Sequence, residues 1–183
     1  AIMDTLLDYD AHRTDTIVNM HNMICSIKDE HIRIDISDHI FDYGITRWGI
    51  GQLSTLLDIP AKYIHKCPPS LAAYNLNYWI DNTKRRQVKL CLKTGKTQLI
   101  IGIVTPRYTE YQNIEFFEDI IGALSDIRYN ISDISLNDVC MDISIISPDY
   151  INDNGLGIGL HLRNSEVGYA AASVTTILYG PGI

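Results

Sequence analysis

The basic residues between positions 84 and 108 are the part of this sequence best suited to do chemistry. Seven of the chain's 15 lysines and arginines fall in this segment, which contains no aspartate or glutamate. The remainder carries 8 basic and 22 acidic residues, so a chain with a formal net charge of -7 has one cationic segment. Ammonium and guanidinium groups bind phosphate and neutralise it. The overall acidity argues against non-specific coating of DNA, but a local basic strip acts within a Debye length of about 8 to 10 Å.

The residue pattern predicts a β-hairpin that would present these charges. Residues 87–93 alternate between aliphatic side chains and a polar face that includes Lys89 and Lys93. Residues 99–104 then return as an apolar strand, expected to be buried on both faces. The alternative interpretation is a solvated edge hairpin whose lysines discourage aggregation.

The turn of this hairpin sets its predicted register. Gly95 and Lys96 suit a two-residue turn, because glycine adopts a positive φ without cost. Such a turn places Lys89 opposite Gly102, where the absence of a side chain would let a ligand backbone come close.

The residues after the hairpin are candidates for direct contact with a nucleotide. Pro106 cannot continue a central strand, so Arg107 and Tyr108 should project from the sheet. A guanidinium suits phosphate, and a tyrosine ring can stack on a base. Arg163, in a later strand, would extend the track. The predicted nucleic-acid-binding residues are Lys84, Arg85, Arg86, Lys89, Lys93, Arg107, Tyr108 and Arg163.

Several motifs for other chemistry are absent from the sequence. The GKT triplet at 95–97 lacks the glycine that a Walker loop needs five residues before Gly95, where Leu90 stands. The histidines show no spacing that completes a ligand set, so we expect no metal site, no cofactor and no identifiable catalytic residue. The four scattered cysteines indicate reduced thiols and a cytoplasmic location.

The sequence contains no signal for a membrane. No apolar run approaches the roughly 20 residues that cross a bilayer, and the acidic first residues do not resemble a signal peptide. The expected partners are therefore nucleic acid and a second copy of the chain, and no membrane.

The predicted fold is α+β, with one mostly antiparallel sheet and about three helices packed on one face. We expect one domain over residues 1–183, with 1–15 as a short helix or arm and further chain after the last residue. Residues 26–36 predict a hairpin that turns at Asp29 and Glu30. The predicted helical stretches are 46–67, 71–80 and 114–124, and further predicted strands are 139–146, 156–163 and 169–179.

Two of the helical stretches allow more than one interpretation. Residues 46–67 resemble a helix-turn-helix, but a helical hairpin packed on the sheet is the favoured interpretation. Tyr74, Tyr78 and Trp79 are expected in the core rather than in a base-stacking surface.

The final strands have one face of small residues. Gly157 and Gly159 share a face, and 170–173 is Ala-Ala-Ala-Ser. Such a face is open to close approach by a helix of the same domain or by an extended ligand.

Three segments resemble a known family. They are QLSTLLDIPAKYIHKCP, VTPRYTEYQNIEFFEDI and GLGIGLHLRNSEVGYAAASV. Their order and spacing resemble the phage/plasmid-like domain of unknown function 932 family over roughly residues 44–179. The Asn164-Ser165-Glu166 piece is the most specific, and these residues form a possible secondary site. Asp58 stands where the family tends to have glycine, and Thr105 where serine is usual.

The resemblance implies a mobile-element protein, with replication or recombination as its expected context. The leading hypothesis is a non-enzymatic phage protein that binds nucleic acid, acting on single strands. The second is a structural or interaction protein of a phage particle or host-takeover complex, meeting partners through the small-residue face. The weaker third is an enzyme built around Arg107 and Glu166.

Overall fold

The computed structural model describes residues 2–40, 42–96 and 98–180. These residues form two compact units. The N-terminal unit is Asp8–Thr109, and the C-terminal unit contains residues 2–7 together with 110–180. Each unit has its own hydrophobic core. The prediction of one domain for residues 1–183 stays a prediction beside this division.

The N-terminal unit is a six-stranded sheet with helices on one face. Its strands are β1 (Arg13–Asn19), β2 (Met23–Lys28), β3 (His31–Ile36), β4 (Tyr43–Ile45), β5 (Gln87–Lys93) and β6 (Leu99–Val104). They are ordered β1-β5-β6-β4-β3-β2, and every neighbouring pair is antiparallel except β4 with β6.

Three helices cover one face of this sheet. They are α2 (Arg47–Leu56), α3 (Ala61–Ile64) and α4 (Pro69–Asn82), and the preceding helix α1 is Ile2–Ala11. Thr46 caps α2 by accepting a hydrogen bond from the Gly49 amide at 3.0 Å. Aliphatic side chains from the helices and from alternate strand positions form the core between them, for example Leu53, Leu76 and Leu90, each 0% exposed.

The C-terminal unit is a four-stranded antiparallel sheet with one helix. The helix is α5 (Asn113–Ala123), and the strands are β7 (Asn130–Leu136), β8 (Met141–Ile151), β9 (Gly157–Asn164) and β10 (Ser173–Tyr179), in the order β10-β9-β8-β7. Phe116 and Phe117 of α5 pack with Leu6 of α1 against Met141 and Leu162 of the sheet.

The α+β class and the mostly antiparallel pairing are confirmed. The described residues form two sheets and five α-helices, where one sheet and about three helices were expected. The hairpin of β2 and β3 is also confirmed, with Asp29 and Glu30 at φ of 51° and 63°. In the part of the chain that the structure describes, no helix is both long and apolar enough to cross a membrane.

The predicted register of the β5–β6 hairpin is wrong. Lys89 pairs with Val104, and Gly102 lies opposite Cys91. The strands are joined by residues 94–98 rather than by a two-residue turn, and the register shifts again between Cys91 and Leu92. Thr97, in this connection, lies outside the described residues.

Candidate nucleic-acid interface

The alternating pattern of β5 places its two lysines on the face of the sheet opposite the helices. Val88, Leu90 and Leu92 point into the core, so Lys89 and Lys93 point the other way. β5 lies between β1 and β6, so the hairpin is not the sheet edge that the alternative interpretation required.

Lys89 is held by an acidic neighbour on β1. Its Nζ lies 3.3 Å from Oδ2 of Asp15 and 5.9 Å from the centre of the Tyr108 ring, and its side chain is 13% exposed. Arg13 approaches the other oxygen of Asp15 at 3.6 Å. Lys93 lies 5.8 Å from the centre of the Tyr9 ring. Both lysines therefore already interact with side chains of their own unit. They stay among the predicted binding residues.

The same face buries a thiol. Cys91 lies between these charged groups and is 0% exposed. Burial raises the pKa of its thiol to about 12, and the Asp15 carboxylate adds to the rise while Arg13 and Lys89 oppose it. Such a thiol stays protonated and unreactive.

The cations between α4 and β5 are differently placed. Lys84, Arg85 and Arg86 are all exposed. Arg85 donates from Nε to the Leu56 carbonyl at 3.3 Å, which holds its side chain over the end of α2. None of the three has an acidic partner within salt-bridge distance among the described residues. They keep their charge available to a polyanion.

The aromatic residues of α4 are outside the core, contrary to the prediction. Tyr74, Tyr78 and Trp79 are 68%, 53% and 46% exposed. The Tyr78 and Trp79 rings meet edge to face, with centres 5.3 Å apart. The buried side of α4 is instead filled by Ala72, Ala73, Leu76 and Ile80.

A hydrogen-bond pair fixes which side of α4 faces the sheet. Asn77 accepts from the Cys25 amide at 2.7 Å and donates to the Cys25 carbonyl at 2.8 Å. This amide binds β2 as another strand would, and together with the buried Leu76 and Ile80 it sets the side of α4 that faces the sheet, so that Tyr74 and Tyr78 face outward. We call the exposed Tyr74, Tyr78 and Trp79, with Lys84, Arg85 and Arg86, the α4 surface.

The predicted pair after β6 is split. Arg107 is exposed and makes no side-chain hydrogen bond or ion pair with the described residues, whereas Tyr108 is half-buried beside Lys89. The helix-turn-helix interpretation has little support, because α3 is one turn of 4 residues. A recognition helix needs several turns to enter a groove.

The predicted secondary site is a buried structural loop. Asn164, Ser165 and Glu166 are 1%, 4% and 4% exposed. Glu166 accepts a hydrogen bond from the Asn113 amide at 2.6 Å, at the N-terminus of α5. Its carboxylate thus caps a helix end whose dipole favours negative charge.

The neighbours of Glu166 complete this loop. Asn164 donates to the Tyr111 carbonyl at 2.6 Å and to Oδ1 of Asn113 at 2.9 Å. Ser165 donates to the Val139 carbonyl at 2.6 Å. These side chains hold the connection into α5, and neither Arg107 nor Tyr108 belongs to this unit.

Arg163 lies in a polar cluster on the C-terminal sheet that the sequence analysis missed. Its Nε donates to Oδ1 of Asp142 at 2.7 Å, and His161 Nε2 lies 2.9 Å from the same oxygen. Burial is the largest single influence and opposes ionisation of Asp142. The hydrogen bond and charge of Arg163, with the hydrogen bonds from Cys140 and His161, together outweigh it and lower the pKa of that carboxyl. The guanidinium of Arg163 is thus paired with the Asp142 carboxylate of its own unit.

This cluster has the order of a serine-histidine-aspartate relay, since Ser144 Oγ lies 3.3 Å from His161 Nδ1. It lacks the rest of a hydrolytic site. β8 pairs with β7 and β9, so the amides around Ser144 belong to strand ladders and cannot form an oxyanion hole. We assign the cluster to cross-strand pairing. Among the described residues no group of three metal-ligating side chains is placed to hold a metal ion.

At its two glycines, the small-residue face is filled within its own sheet. A Cβ on Gly157 would lie 2.3 Å from the Tyr179 ring, and one on Gly159 would lie 2.4 Å from the Ile145 carbonyl oxygen. Tyr179 also donates to the Ser147 carbonyl at 2.7 Å. The space beside the two glycines is therefore occupied by the Tyr179 side chain and by the neighbouring strand of the same unit.

Searches for a matching family model, a similar curated protein and a similar solved structure found none. The resemblance to the phage/plasmid-like family stays a prediction.

Proposed function

We propose that the protein binds single-stranded nucleic acid through the α4 surface. One observation carries the proposal: three half-exposed aromatic rings on α4 lead directly into three successive exposed cations without an acidic partner among the described residues. Proteins that bind single strands combine these two elements, a basic track for phosphates and rings on which bases stack.

The electrostatic part rests on Lys84, Arg85 and Arg86. Each phosphate neutralised on a single strand contributes about -0.7 to the slope of log K against log salt, so three contacts give a slope of about -2. Asp81, exposed in the last turn of α4, is the nearest acid in sequence and would oppose binding. Removing the charge of Asp81 should therefore strengthen binding, whereas removing the charge of the three cations should weaken it.

The aromatic part rests on Tyr74, Tyr78 and Trp79. Tyr74 and Tyr78 are one helical turn apart, about 6 Å along the axis at 1.5 Å per residue. Bases reach such rings only when they are unpaired, which favours a single strand over a duplex. Each stacked base contributes about 1 to 3 kcal/mol.

The first experiment measures the binding of fluorescein-labelled oligothymidine by anisotropy at several salt concentrations. We expect salt-sensitive binding by the wild-type chain. The triple change Lys84→Gln, Arg85→Gln, Arg86→Gln should flatten the salt slope by about 2. Asp81→Asn should strengthen binding. Lys96→Gln removes one positive charge at an exposed lysine in the β5–β6 connection, outside the α4 surface, and as a control should leave binding unchanged.

The second experiment tests stacking. The chain has two tryptophans, so in a Trp48→Phe background the fluorescence reports Trp79 alone. Oligothymidine should quench it, and Tyr78→Ala should weaken binding about 5- to 150-fold. Wild-type protein without salt-sensitive binding at low ionic strength would refute the proposal. So would a triple variant that binds like the wild type.

A role in replication or recombination of a mobile element, in the cytoplasm, follows from the resemblance and is the wider form of this proposal.

The interaction-protein hypothesis is the second candidate, because exposed tyrosine and tryptophan also form the centres of protein interfaces. Light scattering separates the two: a closed ring or filament without nucleic acid favours assembly. The enzyme hypothesis loses its main support, because the Glu166 carboxylate is buried and caps α5.

A further inference from the structure

A second region of the N-terminal unit has the features of a small-molecule site. A cavity of about 300 Å³ lies between the start of α2, the turn of the β2–β3 hairpin and the segment that joins α3 to α4. Four isoleucines line it, and so do the side chains of Glu30, His31, Arg47, His65 and Cys67. Ligand sites of this size usually combine apolar walls with a few polar groups that fix orientation.

Arg47 and His65 converge in this cavity. Arg47 is the first residue of α2, and Gly51 is one turn later on the same side of the helix. The imidazole of His65 packs against Gly51, so that a Cβ there would lie 3.3 Å from Nε2. Glycine inside a helix is destabilising relative to alanine. Here it gives the imidazole space beside the turn that begins with Arg47.

These polar groups have no partner within the described part of the protein. The side chains of Glu30, His31, Arg47 and His65 make no hydrogen bond or salt bridge with any described residue. Burial and the positive charge of Arg47 both lower the pKa of His65. Arg47 also lies at the positive end of α2, where the helix dipole disfavours a cation. An anion between the two side chains would relieve both unfavourable interactions.

We propose that this cavity binds a small organic anion, with its carboxylate or phosphate between Arg47 and His65 and its apolar body against Ile45, Ile50 and Ile64. The walls favour a molecule with a compact apolar part over a bare ion. Glu30 at the rim disfavours a second negative group. The site is separate from the α4 surface in its residues and in its ligand.

Binding to this site depends on pH in a defined direction. The ionisable groups that face His65 are Arg47 from α2, Glu30 and His31 from the hairpin turn, and Cys67 from its own segment. An anion favours the charged imidazole, so binding raises the pKa of His65. Affinity should therefore increase as the pH falls through that pKa.

The test uses the full chain, with the histidine ring resonances followed by NMR. Benzoate is the principal probe, because its carboxylate stays ionised well above a pKa of about 4, and the pH dependence then reports the protein. Benzoate should shift the His65 signals and raise the pKa of His65. Arg47→Gln should weaken binding about tenfold or more, as expected for a charge-assisted hydrogen bond. His65→Gln should remove the pH dependence.

Matched controls and further probes complete the test. His21→Gln changes the same residue type outside the cavity, and Lys62→Gln removes one positive charge there, as Arg47→Gln does inside it. Both should leave benzoate binding unchanged. Phenyl phosphate and inorganic phosphate show whether phosphate replaces carboxylate and whether the apolar body is needed. Circular dichroism checks that each variant is folded.

Three results would overturn the proposal. These are His65 signals that benzoate leaves unmoved, an Arg47→Gln variant that binds as the wild type does, and neutral benzyl alcohol that binds as tightly as benzoate. Since the oligothymidine assay uses other residues, failure here leaves the α4 surface untouched, and the reverse also holds.

Discussion

Replacing Glu166 tests whether the segment that carries the family resemblance has a structural role. The carboxylate is 4% exposed and accepts from the Asn113 amide at 2.6 Å at the start of α5. Glu166→Ala removes a charge-assisted hydrogen bond worth about 1.5 to 3 kcal/mol and a favourable helix-dipole interaction of up to about 2 kcal/mol. Because these contributions overlap, we expect a loss of about 2 to 4 kcal/mol.

Glu166→Gln separates charge from hydrogen bonding, since its amide oxygen can still accept from Asn113. It should cost less than Glu166→Ala. Glu118→Gln changes an exposed acid of the same helix and should stay within about 0.5 kcal/mol of the wild type.

Thermal unfolding and amide hydrogen exchange together measure this effect. For a chain of this size each kcal/mol shifts Tm by about 2 to 4 °C, so Glu166→Ala should lower Tm by roughly 5 to 15 °C. Exchange at Asn113 should accelerate in the same variant. An alanine variant as stable as the wild type, or a glutamine variant as damaged as alanine, would refute the capping role and return Glu166 to the candidates for function.

Two further predictions follow from shifted pKa values. The pKa of Asp142 is lowered in the folded state, so this carboxylate contributes stability above its unfolded pKa of about 4, and that stability is lost as the pH falls through the folded value. Arg163→Gln should raise the pKa of Asp142 in an NMR titration and reduce the loss of stability in acid. An unchanged Asp142 titration would contradict the pairing. Burial raises the pKa of Cys91 to about 12, so at pH 8 iodoacetamide should label the half-buried Cys67 before Cys91. Mass spectrometry of the folded protein measures both labelling rates. Equal rates would contradict the burial of Cys91.

Patterns short enough to lie within one element were predicted well. The β2–β3 hairpin follows from alternating isoleucines and a turn at Asp29 and Glu30, and β5 shows the expected alternation. Both depend on neighbouring residues alone. The register of β5 with β6 was missed because residues 94–98 form a longer connection and a bulge shifts the pairing.

The aromatic face of α4 carried a signal that the sequence analysis overlooked. Ala72, Ala73, Leu76 and Ile80 already form an apolar stripe with helical spacing. Tyr74 and Tyr78 fall on the opposite side of the helix, so their exposure could have been predicted by comparing the two faces, whereas Trp79 lies at the edge of the stripe.

Other features depend on residues far apart in the chain. Lys89 was expected to bind a phosphate, but Asp15 lies beside it once β1 pairs with β5. Glu166 meets Asn113 only because β9 ends beside the start of α5.

The sequence by itself determined the α+β class, the local elements and the location of the cationic segment, because these depend on side-chain period and charge along the chain. The tertiary structure decided which of those cations are available. Pairing of β1 with β5 gives Lys89 an acidic neighbour, whereas the segment that follows α4 and its aromatic residues leaves Lys84, Arg85 and Arg86 exposed. A charge acts on a ligand only where the fold has not already neutralised it, and that depends on contacts between distant residues.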